Sequence, residues 1–231
     1  MLFNPDDPRT WWPKVPIIAH DVGRSNDRST AVVGGFCPLN LGGLPLIGVQ
    51  QLLELPLGLY GSALANELGK VDQFYNRDCL IIADLSNDAS YAEVLVDMFG
   101  RRVIGVQIGR SGDGRTMEHR PVRNGSVPVY HVGRTFLLNG LLADFRDGSI
   151  RFPDGEDSRR AYAQLEALET ELRDSGLVYS CPPGQHDDLG ISLAMLSWAT
   201  KHLHFNAWVR PIFDAHQPRR HPPKFSSAAW T

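Results

Sequence analysis

Residues 15–19 form an apolar, β-branched run that halts at His20-Asp21-Val22-Gly23. A short run with no polar alternation suits a strand buried on both faces. Its closing acid stands where such a strand leaves the core, beside a glycine that permits close approach of backbone or ligand. Residues 29–37, with Thr30, Val32, Val33 and Phe36, follow a polar turn and predict the second arm of an antiparallel hairpin. Residues 46–55 predict a third strand that completes a meander. From 60 to 75 the pattern changes: Leu64, Leu68, Val71 and Phe74 or Tyr75 recur at helical spacing. Residues 79–84, Cys-Leu-Ile-Ile-Ala-Asp, are again a buried-type strand ending on an acid.

A helix is expected over 89–99, closed by Gly100, and a further strand over 102–108. Residues 109–124 are rich in glycine and arginine and read as a loop. Beyond them the pattern predicts a strand at 127–132 and a helix at 134–145, its Leu137, Leu138, Leu141 and Leu142 inward. A short extended piece at 149–152 follows, then an amphipathic helix over 158–173 capped by Asp157 or Ser158. After residues 177–181 and a Pro-Pro-Gly-Gln loop, His186-Asp187-Asp188 opens a last helix marked by Leu189, Leu193 and Leu196. The expected fold is therefore α/β: a mixed sheet of a three-strand antiparallel meander plus parallel strands, flanked by helices.

Composition changes this picture little. Hydrophobic content of 42%, charged content of 21% and net charge −3 over 231 residues fit one globular domain. They weigh against a protein that coats DNA by bulk charge, though not against an enzyme that grips it locally. Cys37, Cys79 and Cys181 lack disulfide or zinc spacing. No apolar stretch is long enough to span a membrane, and the first residues do not resemble a signal peptide. A soluble cytoplasmic protein is expected. The expected layout is an arm at 1–14, one domain at 15–205 and a tail at 206–231, basic and rich in Pro, His and Arg.

The chemistry lies in the acids. Asp21 and Asp84 end strands, and Asp187 and Asp188 open a helix, so three remote segments could deliver carboxylates to one sheet edge. Crowded carboxylates repel one another, and hard divalent cations are the usual compensation. Singly, each acid is more often a turn residue or a cap, and Asp187 is well placed as an N-cap. Arg110, Arg115, Arg120 and Arg123 in the expected loop, with Arg219, Arg220 and Lys224 in the tail, are candidates for phosphate contact.

His186-Asp187-Asp188-Leu189-Gly190-Ile191-Ser192-Leu193-Ala194 resembles the closing motif of the nuclease domain of tailed-phage (viral) large terminases. His20-Asp21-Val22-Gly23, continuing to Asp27 and Thr30, is similar to that family's first acidic motif, and Ile81-Ile82-Ala83-Asp84 to its second. Val132-Gly133-Arg134 through Leu141 to Phe152-Pro153 is similar to the segments before the last motif, so the resemblance spans about 15–201. It implies an RNase H-like fold, related to Holliday-junction resolvases, and a metal-dependent endonuclease that hydrolyses double-stranded DNA with two Mg²⁺ or Mn²⁺ ions. Asp21, Asp84 and either Asp188 or Asp187 would hold the metal, Asp188 being preferred. His186 would orient a carboxylate or phosphate. Relatives often carry an acid at the position of Ile191, which leaves the Asp pair to supply the third ligand.

Large terminases usually join this domain to an ATPase motor, and no GxxxxGK[ST] occurs here. The motor, a small terminase subunit or a portal is expected on other chains. Three alternatives remain open on sequence: a junction-resolving nuclease, an actin-like or sugar-kinase ATPase built on the Asp21 hairpin, and a degenerate docking or assembly domain.

Overall fold

The computed structural model describes residues 15–23, 28–36, 46–86, 88, 90–173, 176–182 and 186–204. The arm, the turn with Asp27, Cys37 and the basic tail with Arg219, Arg220 and Lys224 lie outside the described residues. Strands β1 (Ile17–Asp21), β2 (Thr30–Phe36) and β3 (Ile47–Glu54) form the expected antiparallel meander. Helix α1 (Gly61–Phe74) leads to β4 (Leu80–Asp84), and α2 (Tyr91–Phe99) with a 3₁₀ turn leads to β5 (Val103–Gly109). Next come β6 (Asp113–Val122), β7 (Gly125–Gly133), α3 (Arg134–Arg146), β8 (Ile150–Arg151) and α4 (Glu156–Glu166). The hairpin β9 (Glu169–Arg173) and β10 (Gly176–Ser180) precedes α5 (Asp188–His204).

The main sheet has eight strands in the order β6-β7-β5-β4-β1-β2-β3-β8. Parallel pairing joins β1 to β4, β4 to β5 and β5 to β7, so these strands share one carboxyl edge. The central strands are buried on both faces, as their unalternating sequences require. On one face Ile17, Ala19, Val32, Leu80 and Ile82 pack beneath α3 and α5. On the other, Ile18, Ala31, Val33, Ile81 and Ala83 pack beneath α1 and α2. No helix among the described residues is long and apolar enough to cross a membrane.

Several expectations are corrected, among them Leu142 of α3, which is exposed rather than inward. Residues 109–124 are not a loop: β6 pairs antiparallel with β7 along most of its length. As an edge strand it is exposed at nearly every position from Arg115 to His119, so no apolar face marks it in the sequence. The helix expected over 158–173 ends at Glu166, and Glu169–Arg173 pairs with β10 in a separate two-stranded sheet. Leu172 of that hairpin is 83% exposed, so the apolar spacing that extends the helix on paper has nothing to pack against. The cap differs too: Gly155 precedes α4 without a side-chain cap, and the Ser158 hydroxyl donates to the Pro153 carbonyl at 2.6 Å.

Helix α5 sits close on β2. At Gly34, where the β2–β3 register shifts, a Cβ would overlap the Gly48 carbonyl and press on Leu196 of α5. Gly34→Ala is expected to cost about 1–3 kcal/mol by overpacking, read as a lower urea midpoint at unchanged slope.

Candidate active site

Asp21 ends β1 and Asp84 ends β4. The two strands run parallel with His20 opposite Ala83, so the next step of the register sets Asp21 beside Asp84. Side chains alternate along a strand. Asp21 therefore follows Ile17 and Ala19, and Asp84 follows Leu80 and Ile82, onto the face covered by α3 and α5. Helix α5 starts on that face at this edge, with Asp188 as its first residue.

Polar contacts across great sequence distance hold the start of α5 there. The Asp21 amide donates to the Ser192 hydroxyl at 3.2 Å, and the hydroxyls of Ser192 and Thr30 lie 2.7 Å apart. The Thr30 hydroxyl donates to the Asp188 carbonyl at 2.9 Å. On the opposite face, buried His20 hydrogen-bonds the Thr30 carbonyl through Nδ1 at 2.9 Å and lies against Tyr91. Burial lowers its pKa to about 4, so it is neutral at physiological pH.

Burial and charge act differently on the three acids. Burial pushes the Asp21 carboxyl well above the usual carboxylate range, and the charges of Asp84 and Asp188 push it further, while Arg134 pulls it back. Asp84 is also raised by burial, countered by hydrogen bonds from the Ser86 amide, at 2.9 Å, and the Ser86 hydroxyl. Asp187 behaves differently. Its carbonyl accepts from the Ile191 amide at 2.8 Å, starting the helix, while its carboxylate pairs with Arg134 at the head of α3.

The Asp187 carboxylate is thus turned to Arg134, whereas the Asp188 backbone is held to β2 by Thr30. Ile191 is buried in the core beneath α5, away from any ligating role. Among the described residues, no three His, Cys, Asp or Glu side chains stand close enough together to hold a metal ion as they are. What the edge presents is a frame of mutually repelling carboxylates, all hard oxygen donors, which suits Mg²⁺ or Mn²⁺ rather than a soft metal.

No family model matches the chain, and no curated protein matches it. Solved structures do. The large terminase nuclease from thermophilic phage G20c aligns at 19% identity and TM-score 0.50, over 79% of this chain and 80% of that one. The same nuclease with bound magnesium aligns at 18% identity and TM-score 0.54, over 84% and 82%. The g2p large terminase nuclease domain of bacteriophage SPP1 with bound Mn aligns at 13% identity and TM-score 0.47, over 81% and 86%. The fold is that of a large terminase nuclease.

Within this terminase-nuclease fold the predicted basic residues part company. Arg110 follows β5 and Arg115 lies near the start of β6, both exposed and both toward the carboxyl edge that carries the acids. Arg115 also pairs with Asp113 at 3.3 Å. Arg120 is turned inward, donating to the Leu85 carbonyl at 3.3 Å and to Gln107 at 2.8 Å. Arg123 sits in the β6–β7 turn at the opposite end of the sheet, next to Asn124, which bonds Asp97 of α2. His186 is exposed, its Nδ1 3.9 Å from the Asp188 carboxylate.

Sequence reasoning assigns Arg134, Ser86 and Ser192 no role. Arg134 and Ser192 lie inside the terminase-like motifs, but only their tertiary partners distinguish them from ordinary helix residues.

Proposed function

We propose that this chain is a metal-dependent DNA endonuclease. It would hydrolyse phosphodiesters of double-stranded DNA with two Mg²⁺ or Mn²⁺ ions, as the nuclease component of phage genome packaging. A packaging ATPase, a small terminase subunit or a portal would be supplied by other chains. The observation that carries the reading is the meeting of three strand and helix ends at one sheet edge: Asp21 and Asp84 adjacent in the parallel β1–β4 register, and Asp188 at the start of α5, held there through Ser192 and Thr30. A phage nuclease of this fold has been crystallised with magnesium, which accords with that donor set.

Asp21, Asp84 and Asp188 would hold the metal. Bound divalent ions supply charge neutralisation at the phosphate and an activated water. The protein's own part is to fix the donors and keep positive charge beside them. Parallel pairing sets Asp21 against Asp84, and Ser86 orients the Asp84 carboxylate. Arg134, held by Asp187, places a guanidinium at the margin where a phosphate would lie. His186 stands where it could orient the Asp188 carboxylate.

The direct test is nicking of supercoiled plasmid with Mn²⁺. Wild-type protein should nick it and Asp84→Ala should not, with unchanged circular dichroism. Equal nicking by the two proteins would remove the reading.

The arrangement of arginines makes a further expectation. Arg110→Glu and Arg115→Glu should weaken duplex binding equally for unrelated sequences and reduce the salt slope by about 0.9 for each phosphate no longer neutralised. Arg123→Glu, at the far end of the sheet, should change neither. Fluorescence anisotropy at several salt concentrations on two unrelated duplexes checks both statements.

A further inference from the structure

The bonds between Asp21, Ser192, Thr30 and Asp188 form a directed chain. Thr30 commits its hydroxyl proton to the Asp188 carbonyl at 2.9 Å. The bond of 2.7 Å between the two hydroxyls therefore has Ser192 as donor and Thr30 as acceptor. Ser192 in turn accepts from the Asp21 amide at 3.2 Å. From one end to the other, Asp21 N–H donates to Ser192, Ser192 donates to Thr30, and Thr30 donates to Asp188. The Ser192 hydroxyl also lies 3.4 Å from the Thr30 carbonyl, a longer second acceptor for the same proton on the same residue.

The chain joins the backbones of two carboxylate residues that are far apart in sequence, Ser192 lying 171 positions from Asp21. Both hydroxyl residues are buried, Thr30 at 1% and Ser192 at 0% exposure, so water does not compete for these bonds. Thr30 is itself the cross-strand partner of Asp21, and His20 secures its carbonyl from the other face. Ser192 lies one helical turn beyond Asp188, on the same side of α5. Carboxylates that repel one another drift apart unless their backbones are tied, and these bonds add directed ties to the apolar packing of α5 on the sheet.

We infer that Thr30 and Ser192 are positioning residues: their paired hydroxyls set the spacing of Asp21 and Asp188 and thereby the affinity of the site for divalent cation. The inference rests on the metal-site reading proposed for these acids. Neither residue ligates; each acts through the backbone of an acid.

The experiment is calorimetric titration of Mn²⁺ into the full chain and its variants Thr30→Val, Thr30→Ser and Ser192→Ala, with melting temperatures measured alongside. Ser197→Ala serves as control, because Ser197 is a buried hydroxyl that bonds Asp144, away from the acids. Thr30→Val keeps the shape of the side chain, and Ser192→Ala removes a single atom, so either can carry the test should the other fail to fold. Thr30→Val and Ser192→Ala should each weaken Mn²⁺ binding by about 10-fold or more. Thr30→Ser should restore wild-type affinity, and Ser197→Ala should lower the melting temperature without changing affinity. If wild type binds Mn²⁺ and the two hydroxyl deletions bind it equally well, the inference is overturned and the metal site stands. If folded wild-type protein takes up no Mn²⁺, the metal-site reading fails and the inference falls with it.

Discussion

Asp21→Asn is expected to lower metal-dependent nicking by about 10³-fold or more, and at the same time to stabilise the metal-free protein. The first effect follows from losing a proposed metal ligand, set beside Asp84 by the strand register. The second follows from electrostatics, since the wild-type carboxyl is buried against the charges of Asp84 and Asp188 and its pKa is raised. A carboxyl whose folded-state pKa exceeds its unfolded value carries no penalty below the unfolded value, near 4. Above that, the unfolded chain releases the proton while the folded protein retains it, so stability falls as pH rises until the folded-state pKa is passed. The advantage of Asp21→Asn should thus be small near pH 4 and larger at pH 7.5. His20 titrates in both proteins and cancels from the difference.

Metal should reverse the order. At a hundredfold excess over the dissociation constant, Mg²⁺ or Mn²⁺ should stabilise wild type by about 2.7 kcal/mol, or roughly 5–10 °C in melting temperature. The Asn variant should gain little. Thermal melts of both proteins across pH, with and without Mn²⁺, check all of these outcomes. A variant less stable than wild type without metal at pH 7.5 would contradict the electrostatic account.

The second large effect separates the neighbours Asp187 and Asp188. Asp188→Ala should eliminate nicking with little change in stability, because the repulsion it relieves at Asp21 offsets the contacts it loses, among them that with His186. Asp187→Ala should do the opposite. It leaves the Arg134 guanidinium without the carboxylate it pairs with, a loss of up to about 3–5 kcal/mol for a well-buried pair and less here, where the Arg134 side chain is 34% exposed. The folded fraction should still nick. Urea denaturation alongside plasmid nicking distinguishes the pair, and inactivity of Asp187→Ala with wild-type stability would exchange their assignments.

Much of the frame is readable in the chain because burial leaves a signature. Residues Ile17 to Ala19 and Leu80 to Ala83 are apolar without alternation since both faces are covered, and each strand ends where an acid can leave the core. The start of α5 is readable for a similar reason, an acid pair followed by apolar positions. Strand β6 is hidden because an edge strand with exposed Arg115, Glu118 and His119 needs no apolar face. Strand β9 is hidden because Glu169 to Arg173 has helix-like composition, and its extended form comes from pairing with β10. Among site residues, Thr30 and Ser192 are small hydroxyls whose meaning depends on partners up to 171 positions away. Arg134 similarly acquires its place only when α3 is set beside Asp187. Spacing along the chain carries no trace of such contacts.

The most direct trial is a crystal soaked in Mn²⁺, with anomalous diffraction recorded at the manganese edge. The account predicts peaks at the carboxyl edge of the sheet, ligated by Asp21, Asp84 and Asp188, with the Asp187 carboxylate still turned to Arg134. Manganese bound elsewhere, or no peak at that edge in well-diffracting crystals, would contradict it.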